Sequence, residues 1–233
     1  MSYYFKGIED KYNPLLSFKN PVVIKAQIKL DNRDIRLNTG TIKEIDFVVR
    51  KITKDISLKY KCLAFSTFNE INIIINDPKQ LVNNGKLETH NLVSLFSQEI
   101  FMRYNELSFN KRINFVSVNA FNVFEDKLKS YIYSRQSIGF NNYVSTLGSK
   151  LFSYNQVKNK SREEILDIVE KISPSLMPLK KYIKEGYASS NGSEVEIYKI
   201  KDFNNIDIVE DKIKYTTPSQ PTIILDDELY DDI

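Results

Sequence analysis

Apolar positions in the first half of the chain recur alternately with the period of a strand and the period of a helix. The run PVVIKAQIKL (21–30) is rich in β-branched residues and alternates in its second half, which predicts a strand entered at Pro21. From Thr41 onward Ile42, Ile45, Val49, Ile52 and Ile56 follow one another at spacings of three and four, the mark of an amphipathic helix with one buried stripe. Residues 60–68 and 71–76 predict two short strands meeting in a hairpin at Asn69-Glu70. Leu92, Phe96, Ile100 and Tyr104 predict a second helix, and RINFVSV (112–118) a fourth strand. The order βαββαβ is the split βαβ unit of ferredoxin-like folds. The class is therefore α+β: a four-stranded antiparallel sheet with both helices on one face.

The remainder reads as mostly helical. Glu125 to Leu147 holds few breakers, with Gly139 as a point of interruption. Ser161-Arg162-Glu163-Glu164 has the spacing of a capping box that opens another helix, and Pro174 and Pro178 end it. EVEIYKI (194–200) alternates like a late strand, and TTPSQP leads into an acidic, extended tail. This gives a palm-like unit over 1–120, a helical extension packed on it over 121–188, a late strand region over 189–214 and a tail over 215–233.

Composition narrows the function classes. Hydrophobic residues are 42% of 233 and charged residues 27%, a soluble globular balance. No run approaches the ~20 apolar residues of a membrane span, and the start has no apolar leader after a basic segment, so a cytoplasmic protein is expected. Cys62 is the only cysteine and lies in an apolar run, which predicts a buried core thiol. His90 is the only histidine, which removes His-rich zinc sites; it precedes an apolar helix and fits that helix's N-terminus. Net charge is +3, yet the last eight residues carry five acids and no base. A basic body with an acidic end suits a polyanionic partner.

The hairpin turn carries the chemistry. On a ferredoxin-like sheet the end of the first strand and the turn between the second and third lie side by side. Polymerase and cyclase palms hold two divalent metals there. Magnesium takes hard oxygen ligands, chiefly carboxylates and substrate phosphates, and a metal pair clamps both oxygens of a phosphoryl displacement. Such a site needs a carboxylate at the strand end and another at the turn.

PVVIKAQIK and LAFSTFNEINIII resemble the two metal motifs of the histidine-tRNA guanylyltransferase family, enzymes that add nucleotides in the 3′-to-5′ direction on a palm. AFNVFEDKLKSYIYSRQ (120–136) is similar to the family's strand, turn and helix ending in W-R-Q, and RQSIGFNNYVSTLGSKLFS to its R-Q…N-S-I-S segment. NKSREEILDIVEKI resembles its G-K-S/T helix, and MPLKKYIKEG its L-P…K-R-G stretch. The resemblance runs from about Tyr4 to Gly186.

The departures fall on the chemistry. The family's V-I-R-x-D-G becomes Val23-Ile24-Lys25-Ala26-Gln27-Ile28, so an amide replaces the metal aspartate and a branched residue the glycine. Its S-D-E becomes Phe68-Asn69-Glu70, and the F-D-x-R acid and arginine become Ser117 and Asn119. Glu70 survives alone. At ~4 Å and an effective dielectric of ~20, one carboxylate attracts a dication by about 8 kcal/mol before desolvation. Two such losses would abolish binding at cellular magnesium. Asp31 and Asp34 are the acids near enough in sequence to substitute, but Asp31 lies roughly 13 Å beyond Gln27 along an extended strand.

On the same resemblance Arg135, Gln136 and Asn142 match positions that support the nucleotide, and each is equally explained as a residue capping or bridging neighbours from a helix face. Asn141 stands where bacterial-type members often carry arginine. Lys160 and Ser161 match the G-K-S/T stretch with Asn159 in place of its glycine. Lys160 could meet a phosphate, and Ser161 is fully explained as a helix cap. LKKYIKEGY (179–187) and LSFNKRINF (107–115) mix basic and aromatic residues, as nucleic-acid tracks do and as amphipathic surfaces do.

The resemblance and its departures imply a catalytically impaired relative, a pseudoenzyme that binds RNA (tRNA included) or a protein and needs no cofactor. The alternative is an active nucleotidyltransferase using Mg²⁺ and GTP on tRNA, with Glu70 and Asp31 or Asp34 as metal ligands. A structural subunit of a viral or phage assembly is the third reading. Family members assemble into tetramers, so a homo-oligomer, or a hetero-oligomer with an active relative, is expected; no membrane contact is.

Overall fold

The β-branched run after Pro21 forms the first strand, β1 (Val22–Leu30), and its alternation sorts the side chains onto two faces. Val22, Ile24, Ala26 and Ile28 point to one side and are fully buried, while Val23, Lys25, Gln27 and Lys29 point to the other. This computed structural model describes residues 15–30, 39–81, 87–109 and 113–196.

Helix α1 (Thr39–Lys59) buries the expected stripe of Ile42, Ile45, Val49, Ile52 and Ile56, with Val48 added. The hairpin strands are β2 (Leu63–Thr67) and β3 (Glu70–Ile75). Helix α2 (Thr89–Leu107) buries Leu92, Phe96, Ile100 and Tyr104 and no other residue, matching the predicted period; His90 lies in its first turn. Strand β4 (Ile113–Asn122) runs four residues beyond its predicted end. Both helices cover the Val22–Ile28 face, where one apolar cluster joins β1, β3, α1 and α2.

The sheet has six antiparallel strands in the order β4-β1-β3-β2-β5-β6. The predicted four are its ferredoxin-like part. Strand β5 (Tyr187–Ser190) adds to the free edge of β2, and β6 (Ser193–Val195) turns back on β5. The expected late strand is thus the end of a short hairpin that starts earlier; residues from 197 on, with the acidic tail, lie outside the described residues. Gly186 makes the entry to β5 (φ 73°), since a Cβ there would collide with the Phe65 ring.

Helix α3 (Leu128–Leu151) crosses the second face, uninterrupted at Gly139. That glycine is used for proximity: the helix lies so close to β2 that a Cβ at 139 would collide with Thr67. Leu128 and Ile132 seal a second apolar cluster with Val23, Leu63, Phe65, Ile74 and Ala188. Beyond a four-residue helix α4 (Tyr154–Val157), α5 (Arg162–Ile172) opens with the predicted capping box: the Glu164 amide donates to Ser161 Oγ (3.2 Å) and the Ser161 amide to Glu164 Oε2 (2.6 Å). After Ile172 the prolines form a 3₁₀ turn (Pro174–Leu179) leading to α6 (Lys180–Glu185). Among the described residues no helix is long and apolar enough to cross a membrane.

Cys62 is buried between α1 and β2, and burial pushes its thiol up to about 12. Roughly a thousandfold less thiolate is then present at neutral pH than for a free cysteine. Iodoacetamide should leave the folded chain unmodified by mass and add once in denaturant; fast labelling in native buffer would contradict the burial.

Candidate functional site

Antiparallel register fixes which residues share the second face of the sheet. Gln27 of β1 pairs with Ser117 of β4 on one side and Glu70 of β3 on the other, and Glu70 pairs with Thr67 of β2. Directly opposed residues point the same way. Ser117, Gln27, Glu70 and Thr67 thus form one row, flanked on one side by Asn119, Lys25, Asn72 and Phe65 and on the other by Phe115 and Lys29. Gln27 and Ser117, two of the three departures named from sequence, are directly paired. Asn69 joins them from the β2–β3 turn.

Glu70 is buried at this row, and α3 supplies its counter-charge. Arg135 Nε donates to Oε1 (2.8 Å) and Nη2 to Oε2 (2.5 Å), a two-point guanidinium–carboxylate pair. Asn72 Nδ2 donates to the same Oε1 (2.9 Å), and Asn72 Oδ1 accepts from the Tyr131 hydroxyl (2.6 Å). Burial pushes that hydroxyl up, so it stays a donor; nearby Arg135 lowers it and Glu70 raises it by smaller amounts. Tyr131 and Arg135 are four residues apart, hence on one face of α3. The chain Tyr131–Asn72–Glu70–Arg135 is a closed polar network.

Asn69 has a different task. Its backbone carbonyl accepts the Ile28 amide (2.8 Å), and its side-chain nitrogen donates to the Ile28 carbonyl (3.2 Å). A carboxylate at 69 would set two oxygens against each other unless a cation lay between them. The amide nitrogen turns that repulsion into a hydrogen bond.

Among the described residues the donor set does not fit a magnesium pair. Gln27 and Ser117 offer neutral oxygens, Asn69 is engaged with Ile28, and the one carboxylate of the row is already matched by a guanidinium. A dication brought to ~5 Å of that guanidinium at an effective dielectric of ~20 meets about 7 kcal/mol of repulsion. No group of three or more metal-ligating acids, histidines or cysteines occurs among the described residues. Asp31 and Asp34 lie outside those residues.

The other named residues do not converge here. Gln136 faces away and donates to the Glu185 carbonyl (2.8 Å), tying α3 to the end of α6. Asn142 is exposed farther along α3, its carbonyl accepting the Thr146 hydroxyl (2.9 Å). Lys160 and Ser161 stand exposed at the start of α5, where the Glu164 carboxylate already occupies the anion position of the helix end. Hydrogen bonding from the Ser161 backbone N–H, and then from its hydroxyl, lowers that carboxyl below its ordinary value. Asn159 has φ 61°, the left-handed conformation glycine takes freely and asparagine tolerates. In LKKYIKEGY, Leu179, Ile183 and Tyr187 are buried while Lys180 and Lys181 pair with Glu170 and Glu194, so this stretch is an amphipathic surface. Sequence reasoning passed over Asn72, Tyr131 and Arg135's partnership with Glu70. Stepping by two from Glu70, and by four back from Arg135, reaches the first two.

Truncating one member of a buried ion pair strands the other. Arg135→Ala should cost about 3 kcal/mol in urea unfolding, the low end of the usual range because 16% of the Arg135 side chain stays exposed. Pairing it with Glu70→Gln should recover more than half of the loss; equal losses in the single and double variants would contradict the pairing.

A scan against protein-family sequence models finds no match, and no characterised protein matches by sequence. Solved structures do match. A bacterial tRNA(His) guanylyltransferase-like protein in complex with ATP superposes with a TM-score of 0.63 at 16% identity, covering 85% of this chain and 95% of that one. Another such bacterial protein, in complex with GTP, gives 0.51 at 15% identity over 80% and 82%. The tRNA(His) guanylyltransferase of Saccharomyces cerevisiae gives 0.52 at 15% identity over 79% and 91%. The chain has the fold of the tRNA(His) guanylyltransferases, over nearly the whole length of those proteins.

Proposed function

We propose that this protein is a catalytically silent member of the histidine-tRNA guanylyltransferase family, which keeps the palm and serves as an RNA-binding subunit. The observation that carries the reading is the Glu70–Arg135 pair: the carboxylate that survives at the metal row is bound at both oxygens by a guanidinium. Asn69, hydrogen-bonded to the Ile28 carbonyl, closes the turn without a cation. An active site built on Glu70 with Asp31 or Asp34 would first have to break the Arg135 pair and expose the guanidinium's charge to the incoming metals. The RNA role is supported by the overall positive charge, concentrated away from the acidic C-terminal residues.

Incubation with labelled GTP, magnesium and tRNA should give no incorporation at any salt, while filter retention of the same tRNA falls steeply as salt rises. Magnesium-dependent incorporation that disappears in Glu70→Ala would overturn the silent reading, and retention indifferent to salt would overturn the RNA role.

A further inference from the structure

The α3 helix covers only part of the second sheet face. It lies over β2 and β3, with Tyr131 on Asn72, Arg135 on Glu70 and Gly139 on Thr67. No described element covers the β1–β4 half of the middle and lower rows. Left open there are Lys25 and Asn119, then Gln27 and Ser117, then Lys29 and Phe115, in register across two strands. Phe115 is 54% exposed, although it is a large aromatic on a strand. Lys25 and Lys29 make no ion pair among the described residues, and the nearest carboxylate in the row, Glu70, is cancelled by Arg135.

We infer that this half-face binds single-stranded RNA, with a base stacked on Phe115, phosphates on Lys25 and Lys29, and base edges met by Gln27 and Asn119. The assignment rests on the RNA-binding reading above and gives it a place. An aromatic standing out of an open antiparallel sheet beside a lysine, with a second lysine farther along the same face, is the kind of arrangement that stacks unpaired bases in four-stranded βαββαβ modules. The two lysines lie four residues apart on one face, roughly 13 Å along the strand. A protein partner fits the patch poorly. Interface cores are depleted of lysine and rich in apolar area, whereas this patch has two lysines, two amides and a serine around one ring. A duplex fits poorly too, because its bases are stacked on one another and present no free face to Phe115.

The test uses the full chain and a short fluorescein-labelled oligouridylate, read by anisotropy over a salt series. Phe115→Ala should weaken binding at least about fivefold, the lower bound for losing one stacked base, with the thermal unfolding midpoint unchanged since the ring is exposed. Lys25→Ala with Lys29→Ala should reduce the slope of log affinity against log salt by about 1.4, two single-strand phosphate contacts. Wild-type binding that neither change affects would place the RNA elsewhere, overturning this assignment while leaving the RNA-binding reading intact. Absence of binding at low salt would overturn both. Absence of binding together with self-association that Phe115→Ala abolishes would make the patch a protein contact, again against the assignment.

Discussion

Glu70 is a carboxylate held away from water at the start of a central strand, and the molecule must neutralise it. A buried charge without a partner costs several kcal/mol, so the fold has two ways to keep one here: bring metal ions, or bring a fixed cation. In this chain α3 delivers the guanidinium of Arg135, and much of the architecture serves that delivery. The helix must cross the sheet closely enough for Arg135 to reach both oxygens, which is why Gly139 faces Thr67 without a Cβ. It must be anchored at its start, where Leu128 and Ile132 seal the second apolar cluster, and tied farther on by Gln136 to the Glu185 carbonyl. Asn72 and Tyr131 complete the network, with Oε1 of Glu70 accepting from both Arg135 and Asn72.

The backbone around the Gln27–Glu70 row follows the same logic. Ile28 stands where the resembling family has a glycine, and its side chain is fully buried in the helix-covered core. With a branched residue locked there, β1 continues as a regular strand past Gln27 and keeps its ladder to β4 as far as the Lys29–Phe115 pair. A strand that stays extended presents its carbonyls to neighbouring strands, and the one at Ile28 is taken by the Asn69 amide. The amide at 69 is thus matched by a local structure that needs no cation. Around that row, the described residues that β1 and β4 place on the second face of the sheet are lysines, amides, a serine and an aromatic ring, beside a carboxylate that a guanidinium neutralises.

Much of the fold is readable in the chain because its core elements obey single periods. The stripes Ile42–Ile56 and Leu92–Tyr104 are buried as the spacing requires, and the Ser161–Glu164 box forms as written. The β5–β6 hairpin is not readable in this way. Tyr-Ala-Ser-Ser has no alternation and little β propensity; it is a strand because β2 offers it an edge and Gly186 turns the chain toward it. Gly139 suggests a helix break on propensity, yet the close crossing with Thr67 makes it necessary inside the helix. At the site, the departures from the family pattern at 27, 69 and 117 are visible in the sequence. The fate of Glu70 is not, because its partner lies 65 positions away and no local pattern links a turn glutamate to a helix arginine. Lys160 and Ser161 show the converse: a phosphate-like motif whose helix end is already filled by its own Glu164.

On the proposed reading, the described residues of the row around Gln27 and Glu70 carry no net negative charge with which to hold dications. Manganese substitutes for magnesium at such sites and loses its free-ion electron paramagnetic resonance signal when bound. Titrating the full chain with Mn²⁺ in the presence and absence of GTP reads that charge directly. The account predicts that the protein leaves the free-ion signal undiminished, and that GTP quenches it no more with protein than without. A loss of signal amounting to a pair of ions per chain, deepened by GTP and removed by Glu70→Gln, would contradict it.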